Sequence, residues 1–251
     1  MKILAITQAR TGSTRLPEKV LKTIDGKTLL EIHLKRILQS KNITKLKVAT
    51  TKKFEDNKIV AVADRLKIES FKGSVNDVLE RFYLTALPEK PDYVVRLTSD
   101  CPLIDPLEID KVIKECIEGE YDYASNTFEP TFPDGMDVEI FKFSALKKAY
   151  QEAVLKSDRE HVTPYIWRNS SVKGGEMFYS FSVKYHNDFS KYRLTVDTQD
   201  DFDLIENIIL HQGSNKNWQD YVNYLNENPE LLKFNAKYER NEGYQKSLKE
   251  D

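Results

Sequence analysis

The chain has 251 residues, 38 of them basic and 40 acidic, with a formal net charge of −2. That length suits one large α/β domain, or one domain with a short appendage, whose core needs no staples. The near balance of charge excludes a general nucleic-acid-binding surface but leaves room for a local basic pocket. Two cysteines, Cys101 and Cys116, are too few for a disulfide framework and read as reduced thiols. The opening apolar run, Ile3 to Ile6, is too short for a signal-peptide core or a membrane span. A soluble, cytoplasmic protein with no membrane or nucleic-acid partner is the expectation.

Apolar runs alternate with helix-period stretches along the first half. Lys2 to Thr7 predicts a buried strand, Thr28 to Gln39 an amphipathic helix, and Lys47 to Thr51 a second strand. A helix follows over Asp56 to Leu66, then a strand over Ile68 to Phe71 and a helix from Asn76. Tyr93 to Thr98 is the fourth strand, followed by a helix over Leu107 to Ile117. This alternation predicts a parallel sheet covered on both faces. Beyond residue 120, Tyr121 to Asn126, Asp137 to Phe141, Glu176 to Ser182 and Arg193 to Val196 read as strands added antiparallel to that sheet. Ser144 to Leu155 and Asp201 to Leu210 read as helices. From Asn215 the chain is polar, with Trp218, Tyr221, Tyr224 and Leu225 at helical spacing, and predicts a packed helical appendage that frays near Glu250.

The segment Gln8-Ala-Arg-Thr-Gly-Ser-Thr-Arg-Leu-Pro-Glu-Lys19 follows the first strand, at the edge where open α/β sheets bind ligands. Gly12 permits unusual backbone angles, Ser13 and Thr14 offer hydroxyls, and successive amides can form an anion nest. Arg10, Arg15 and Lys19 add three cations, a set that suits a triphosphate. The same cluster also fits a solvated basic loop. It contains neither a Walker loop nor a three-glycine dinucleotide fingerprint.

Two carboxylates stand at the ends of predicted strands, Asp100 just past an apolar run and Asp197 directly after a short strand. Such a pair from two strand ends can hold magnesium beside a nucleotide, whereas the scarcity of His and Cys at ligand spacing argues against zinc. Asp105, Asp200 and Asp201 read as helix caps or dipole partners, with Thr198 as an N-cap.

With these motifs in view, the chain resembles the sugar-acid cytidylyltransferases of the acylneuraminate and KDO type, and is nearest to the spore-coat polysaccharide SpsF branch. The resemblance is carried by Gln8 to Leu21, by Arg96-Leu-Thr-Ser-Asp-Cys-Pro-Leu-Ile-Asp-Pro106, and by Pro133 to Phe141, Asp158 to Ile166 and Arg193 to Thr198. It implies a three-layer, Rossmann-like nucleotide-diphospho-sugar transferase fold with a mixed, mainly parallel central sheet. It implies nucleotide binding by Ala9, Arg10, Thr11, Gly12, Ser13, Arg15, Lys19, Thr98 and Ser99, with Lys19, Arg15 and Asp100 serving catalysis. Asp100 and Asp197 match the family's magnesium aspartates. Glu18 and Ser99 stand where the family usually has Gly.

Asp137, Glu139 and Arg159 can be read either as a sugar-binding wall or as a buried ion network; His161 reads more readily as a structural histidine than as a base. The expected organisation is a nucleotidyltransferase domain over residues 1–214, with a substrate or dimerisation region at about 130–185, and an appendage over 215–251. The expected reaction is transfer of CMP from CTP to a sugar or sugar acid with release of pyrophosphate, by a magnesium-dependent homodimer. A glycosyltransferase that consumes a nucleotide sugar and a non-catalytic nucleotide-binding partner are the alternatives.

Overall fold

Strand β1 (Ile3–Gln8) is apolar along almost its whole length, because helices cover it from both sides. In the computed structural model, which describes residues 1–251, it lies near the centre of a seven-stranded sheet. The chain continues through the hairpin β2 (Thr23–Ile24) and β3 (Lys27–Thr28), then α1 (Leu29–Ile37), β4 (Lys45–Thr51), α2 (Asn57–Arg65), β5 (Glu69–Gly73), α3 (Val78–Ala86), β6 (Tyr93–Thr98) and α4 (Pro106–Glu118). Strands β5, β4, β1 and β6 lie side by side and are all parallel. Alternate β1 side chains serve opposite faces. Ile3 and Ala5 pack with Leu34 of α1, Val62 of α2 and Val112 of α4, whereas Leu4 and Ile6 pack with Leu79 and Phe82 of α3. The result is the expected three-layer α/β arrangement.

The second half adds β7 (Tyr123–Ser125), β8 (Glu139–Lys142), α5 (Phe143–Glu152), α6 (Lys156–His161), α7 (Pro164–Arg168), β9 (Ser180–Ser182), α8 (Gln199–Gln212), α9 (Trp218–Glu227) and α10 (Glu242–Ser247). As expected, the sheet becomes mixed: β8 runs antiparallel to β6, and β7 antiparallel to β8. The last strand, β9, returns to run parallel to β7. Pro164 divides the 156–168 region into two short helices and opens α7.

One expected strand does not form. Arg193 to Val196 is a buried, extended segment without a ladder, since its neighbours are loops. The Leu194 amide donates to the Asp134 carbonyl at 2.6 Å, and the Val196 amide to the Asp100 carbonyl at 2.7 Å. This segment also explains Gly135, whose φ is +107°. A Cβ there would lie 2.7 Å from the Leu194 carbonyl carbon. Gly135→Ala is therefore expected to cost about 2–4 kcal/mol of stability, from backbone strain plus overpacking, as read by denaturant unfolding.

Helix α9 buries Trp218, Tyr221 and Leu225 in a core shared with Phe132, Leu194 and Ile205. The Trp218 amide donates to Asp105 at 2.8 Å, and its indole N–H to Glu108 at 2.9 Å. Asp105 also caps α4. Both cysteines are free and buried, and burial pushes the Cys116 thiol up to about 12. No helix is long and apolar enough to cross a membrane.

Candidate active site

The loop after β1 is pinned from below before it reaches any ligand. The Thr11 amide and hydroxyl both donate to Asp56 at 2.8 Å, and Asp56 also accepts from the Thr51 hydroxyl. Glu18 then turns the chain with φ 53° and ψ 24°. That left-handed geometry strains an L side chain and is free of cost for Gly. The resemblance leads one to expect Gly here, which this geometry would suit; Glu18 adopts it while pairing with Lys58 at 2.7 Å. The turn leads into the short 3₁₀ segment Lys19–Leu21.

Lys19 reaches the centre of the site. Its Nζ lies 3.2 Å from Asp100 Oδ2 and 2.7 Å from Asp197 Oδ1. Arg15 Nη2 approaches Asp197 Oδ2 at 3.0 Å. The two aspartates, 97 positions apart, are thus joined through one ammonium. Burial by itself would lower the Lys19 pKa, but the flanking Asp100 and Asp197 outweigh it and hold the ammonium charged. Burial would likewise raise Asp100; Lys19, the Thr98 hydroxyl and the local backbone overcome this and hold its carboxyl well below the usual range.

These groups open onto a cavity of about 1150 Å³ at the C-terminal ends of β1 and β6. Ala9, Arg10, Ser13, Thr98 and Ser99 line it together with Arg15, Lys19 and both aspartates. Thr11 and Gly12 do not line it: Thr11 is turned inward to Asp56, and Gly12 lies on the other side of the loop beside Lys53. Three lining residues carry buried side-chain atoms with no partner, namely Gln8 Oε1, Arg81 Nε and Arg96 Nε. A polar ligand would relieve the cost of leaving such atoms unpaired.

The Asp100 turn is held from behind by His33, which is fully buried on α1. Its Nδ1 lies 2.8 Å from the Cys101 carbonyl and its Nε2 2.8 Å from the Thr7 hydroxyl. The carbonyl can only accept, so the proton sits on Nδ1 and Nε2 accepts from Thr7. Burial lowers the imidazole pKa to about 4. A depressed histidine contributes stability above its unfolded value, roughly 6.5, and loses it as the pH falls towards 4. Denaturant unfolding from pH 7 to 4 is expected to show this loss in the wild type and its absence in His33→Gln.

The far wall holds Asp134, Asp137 and Glu139. Glu139 bonds Arg96 and the Tyr123 hydroxyl. Asp137 bonds Arg240, and Asp134 meets Arg193 at 2.8 Å. Burial first pushes both aspartates up, helped by Asp137 beside Asp134, which rises to about 7, and by Glu139 and Asp100 beside Asp137, against the pull of Arg240 on each. Arg159 is paired with Asp77 at 2.9 Å through Nε. His161 Nε2 lies 2.9 Å from the Ser247 hydroxyl, and burial lowers its pKa. All of these except Tyr123 and Arg240 line the cavity, so the region combines the two readings of the sequence: an ion network that forms the wall of an open site.

Several residues of the site went unread in the sequence. Gln8 and Arg193 open two of the motifs without a role of their own being read for them, and Arg81 looks like an ordinary polar helix position. Arg240, Glu242, Tyr244 and Ser247 lie in a polar tail whose composition resembles a frayed terminus. No local signal marks them, since they reach the cavity only through the fold.

A mixed, mainly parallel α/β sheet, a cationic loop after β1 and two aspartates facing it describe a nucleotidyltransferase of Rossmann-like fold. The chain belongs to the cytidylyltransferase family, whose model matches residues 4–236. It is 32% identical over 240 residues to the spore coat polysaccharide biosynthesis protein SpsF of Bacillus subtilis, covering 91% of this chain and 95% of that protein. An uncharacterized protein of Methanocaldococcus jannaschii is 38% identical over 237 residues, covering 94% and 95% of the two chains. Among solved structures, a cytidylyltransferase from Leptospira borgpetersenii superimposes with a TM-score of 0.87 at 34% identity, covering 95% of this chain and all of that one.

Proposed function

We propose that the protein transfers CMP from CTP to a hydroxyl of a sugar or sugar acid, releasing pyrophosphate, in surface polysaccharide or glycan biosynthesis. The observation that carries this reading is the meeting of Asp100 and Asp197 at Lys19, beside the cationic loop. In-line displacement at phosphorus needs alignment and charge neutralisation more than a covalent nucleophile. In this reading Arg10, Arg15, Ser13 and Lys19 bind the triphosphate and steady the departing pyrophosphate, supported by their shared position on the cavity lining. The present pairing of Arg15 and Lys19 with aspartates keeps both sides of the site charged and oriented before substrate arrives.

The donor set also fits magnesium. Asp100 and Asp197 are hard oxygen ligands, and no third His, Cys, Asp or Glu completes a protein cage. This suits an ion that keeps waters and takes the rest of its shell from phosphate oxygens. Bound there, magnesium would supply Lewis-acid neutralisation of the phosphate charge. The reading includes a cytoplasmic location and a homodimer, with residues 130–185 at the interface.

The test is a pyrophosphate-release screen of four nucleoside triphosphates against a panel of sugars and sugar acids, with and without magnesium. Release from CTP with one acceptor class is the expected result. Release of a nucleoside diphosphate from a nucleotide sugar would instead identify a glycosyltransferase. Tight CTP binding without any pyrophosphate release would identify a non-catalytic partner.

A further inference from the structure

Residues 237–251 lie beyond the stretch that matches the family model, yet they form a wall of the cavity. They are tethered across it at four places. Arg240 bonds Asp137 and donates to the Phe132 carbonyl at 3.3 Å. Glu242 lies 3.5 Å from Arg15. The Ser247 hydroxyl lies 2.9 Å from His161 Nε2 and 3.0 Å from Glu160 Oε2. Asp251 accepts from the Ser157 amide at 2.8 Å.

Between these tethers, Tyr244 builds an aromatic corner in an otherwise strongly polar cavity. Its ring stands edge-on to His161 at 5.2 Å and to Trp167 at 5.9 Å. His161 is presented to that corner by a strained turn. Val162 has φ 74° and ψ −54°, and the Thr163 amide closes on the His161 carbonyl at 2.9 Å. This is a γ-turn of the rare, strained kind, adopted by a β-branched residue that is completely buried. Strain of this sort persists only where surrounding packing over-determines it, and it clusters at ligand clamps.

An aromatic corner rimmed by a hydroxyl and carboxylates is matched to a sugar ring. The rings cover its C–H face, while Ser247 and Glu160 are partners for its hydroxyls. We infer that the C-terminal segment forms the acceptor end of the site and that Tyr244 and Ser247 are specificity-determining residues for a hydroxyl-bearing sugar ring. The inference rests on the transferase reading above and adds to it which residues choose the acceptor. The family model, which matches residues 4–236, ends before both residues.

The experiment uses the full-length chain carrying Tyr244→Ala, Tyr244→Phe or Ser247→Ala. Acceptor KM and the ranking of a sugar panel are measured by pyrophosphate release, and CTP affinity by calorimetry without acceptor. Tyr244→Ala and Ser247→Ala are expected to raise the acceptor KM about tenfold and to reorder the panel. The CTP Kd should stay within about twofold, and Tyr244→Phe should recover most of the loss. An active wild type whose variants keep both acceptor KM and panel order overturns the inference alone. So does a parallel loss of CTP affinity and thermal stability, which marks a merely structural segment. A wild type that releases no pyrophosphate with any sugar refutes the transferase reading and this inference together.

Discussion

Asp100→Asn is expected to lower kcat by a factor on the order of 10²–10³ while leaving the fold intact. The side chain ends at the cavity, and its structural duties belong to its backbone. The Asp100 carbonyl accepts from the Val196 amide at 2.7 Å and from the Thr195 hydroxyl at 3.1 Å, and asparagine keeps that carbonyl. What is lost is one negative charge opposite Lys19. On the proposed reading, one of the two carboxylates that would hold magnesium is then gone, and Lys19 keeps only Asp197 to orient it. Steady-state pyrophosphate release read beside thermal unfolding checks both halves. A variant with wild-type turnover would remove Asp100 from the reaction, and a collapsed Tm would show that its side chain is structural.

The largest expected loss of stability comes from Asp201, which is completely buried. Its carboxylate accepts from Arg193 Nε at 2.8 Å, from Asn235 at 3.0 Å, and from the Asp197 and Thr198 amides at 3.0 Å each. Burial by itself would raise its pKa, but Arg193 and these bonds outweigh it and hold the carboxyl below its ordinary value. Asp201→Ala leaves the Arg193 guanidinium and several amides without their partner. A cost of about 3–5 kcal/mol follows, which for a domain of this size is a fall in Tm of roughly 10 °C.

The pH dependence has a definite sign. A depressed carboxylate contributes fully above its unfolded value of about 4 and loses that contribution on further acidification. The wild-type stability curve should therefore fall more steeply in acid than that of Asp201→Ala. Activity should also suffer, because Asp201 holds the amide of Asp197, whose carboxylate faces Lys19. A variant with unchanged Tm would show that Arg193 finds full compensation from Asp134.

The sheet was legible because burial on two faces leaves a local mark. β1 and β6 are short apolar runs, each followed by a helix with its own apolar stripe, and both facts can be read within a dozen residues. The motif ends were legible for the same reason: Asp100 and Asp197 directly follow apolar segments, and Thr198 with Asp201 forms the capping box of α8. Arg193 to Val196 misled because its alternation is that of a strand, while the partners that decide strand pairing lie 60 and 96 residues earlier in the chain.

Residues 8–19, read alone, determined that three cations crowd within ten positions at the end of the first strand, which suits either an anion or a solvated basic loop. Only the tertiary structure decided that Thr11 turns inward to Asp56, that Glu18 can take the place of glycine, and that the polar tail returns to wall the cavity with Tyr244 and Ser247. The physical reason is range. Backbone propensity and hydrophobic period act over one or two turns, whereas an ion pair such as Lys19 with Asp197 exists only after packing has joined residues that lie 178 positions apart.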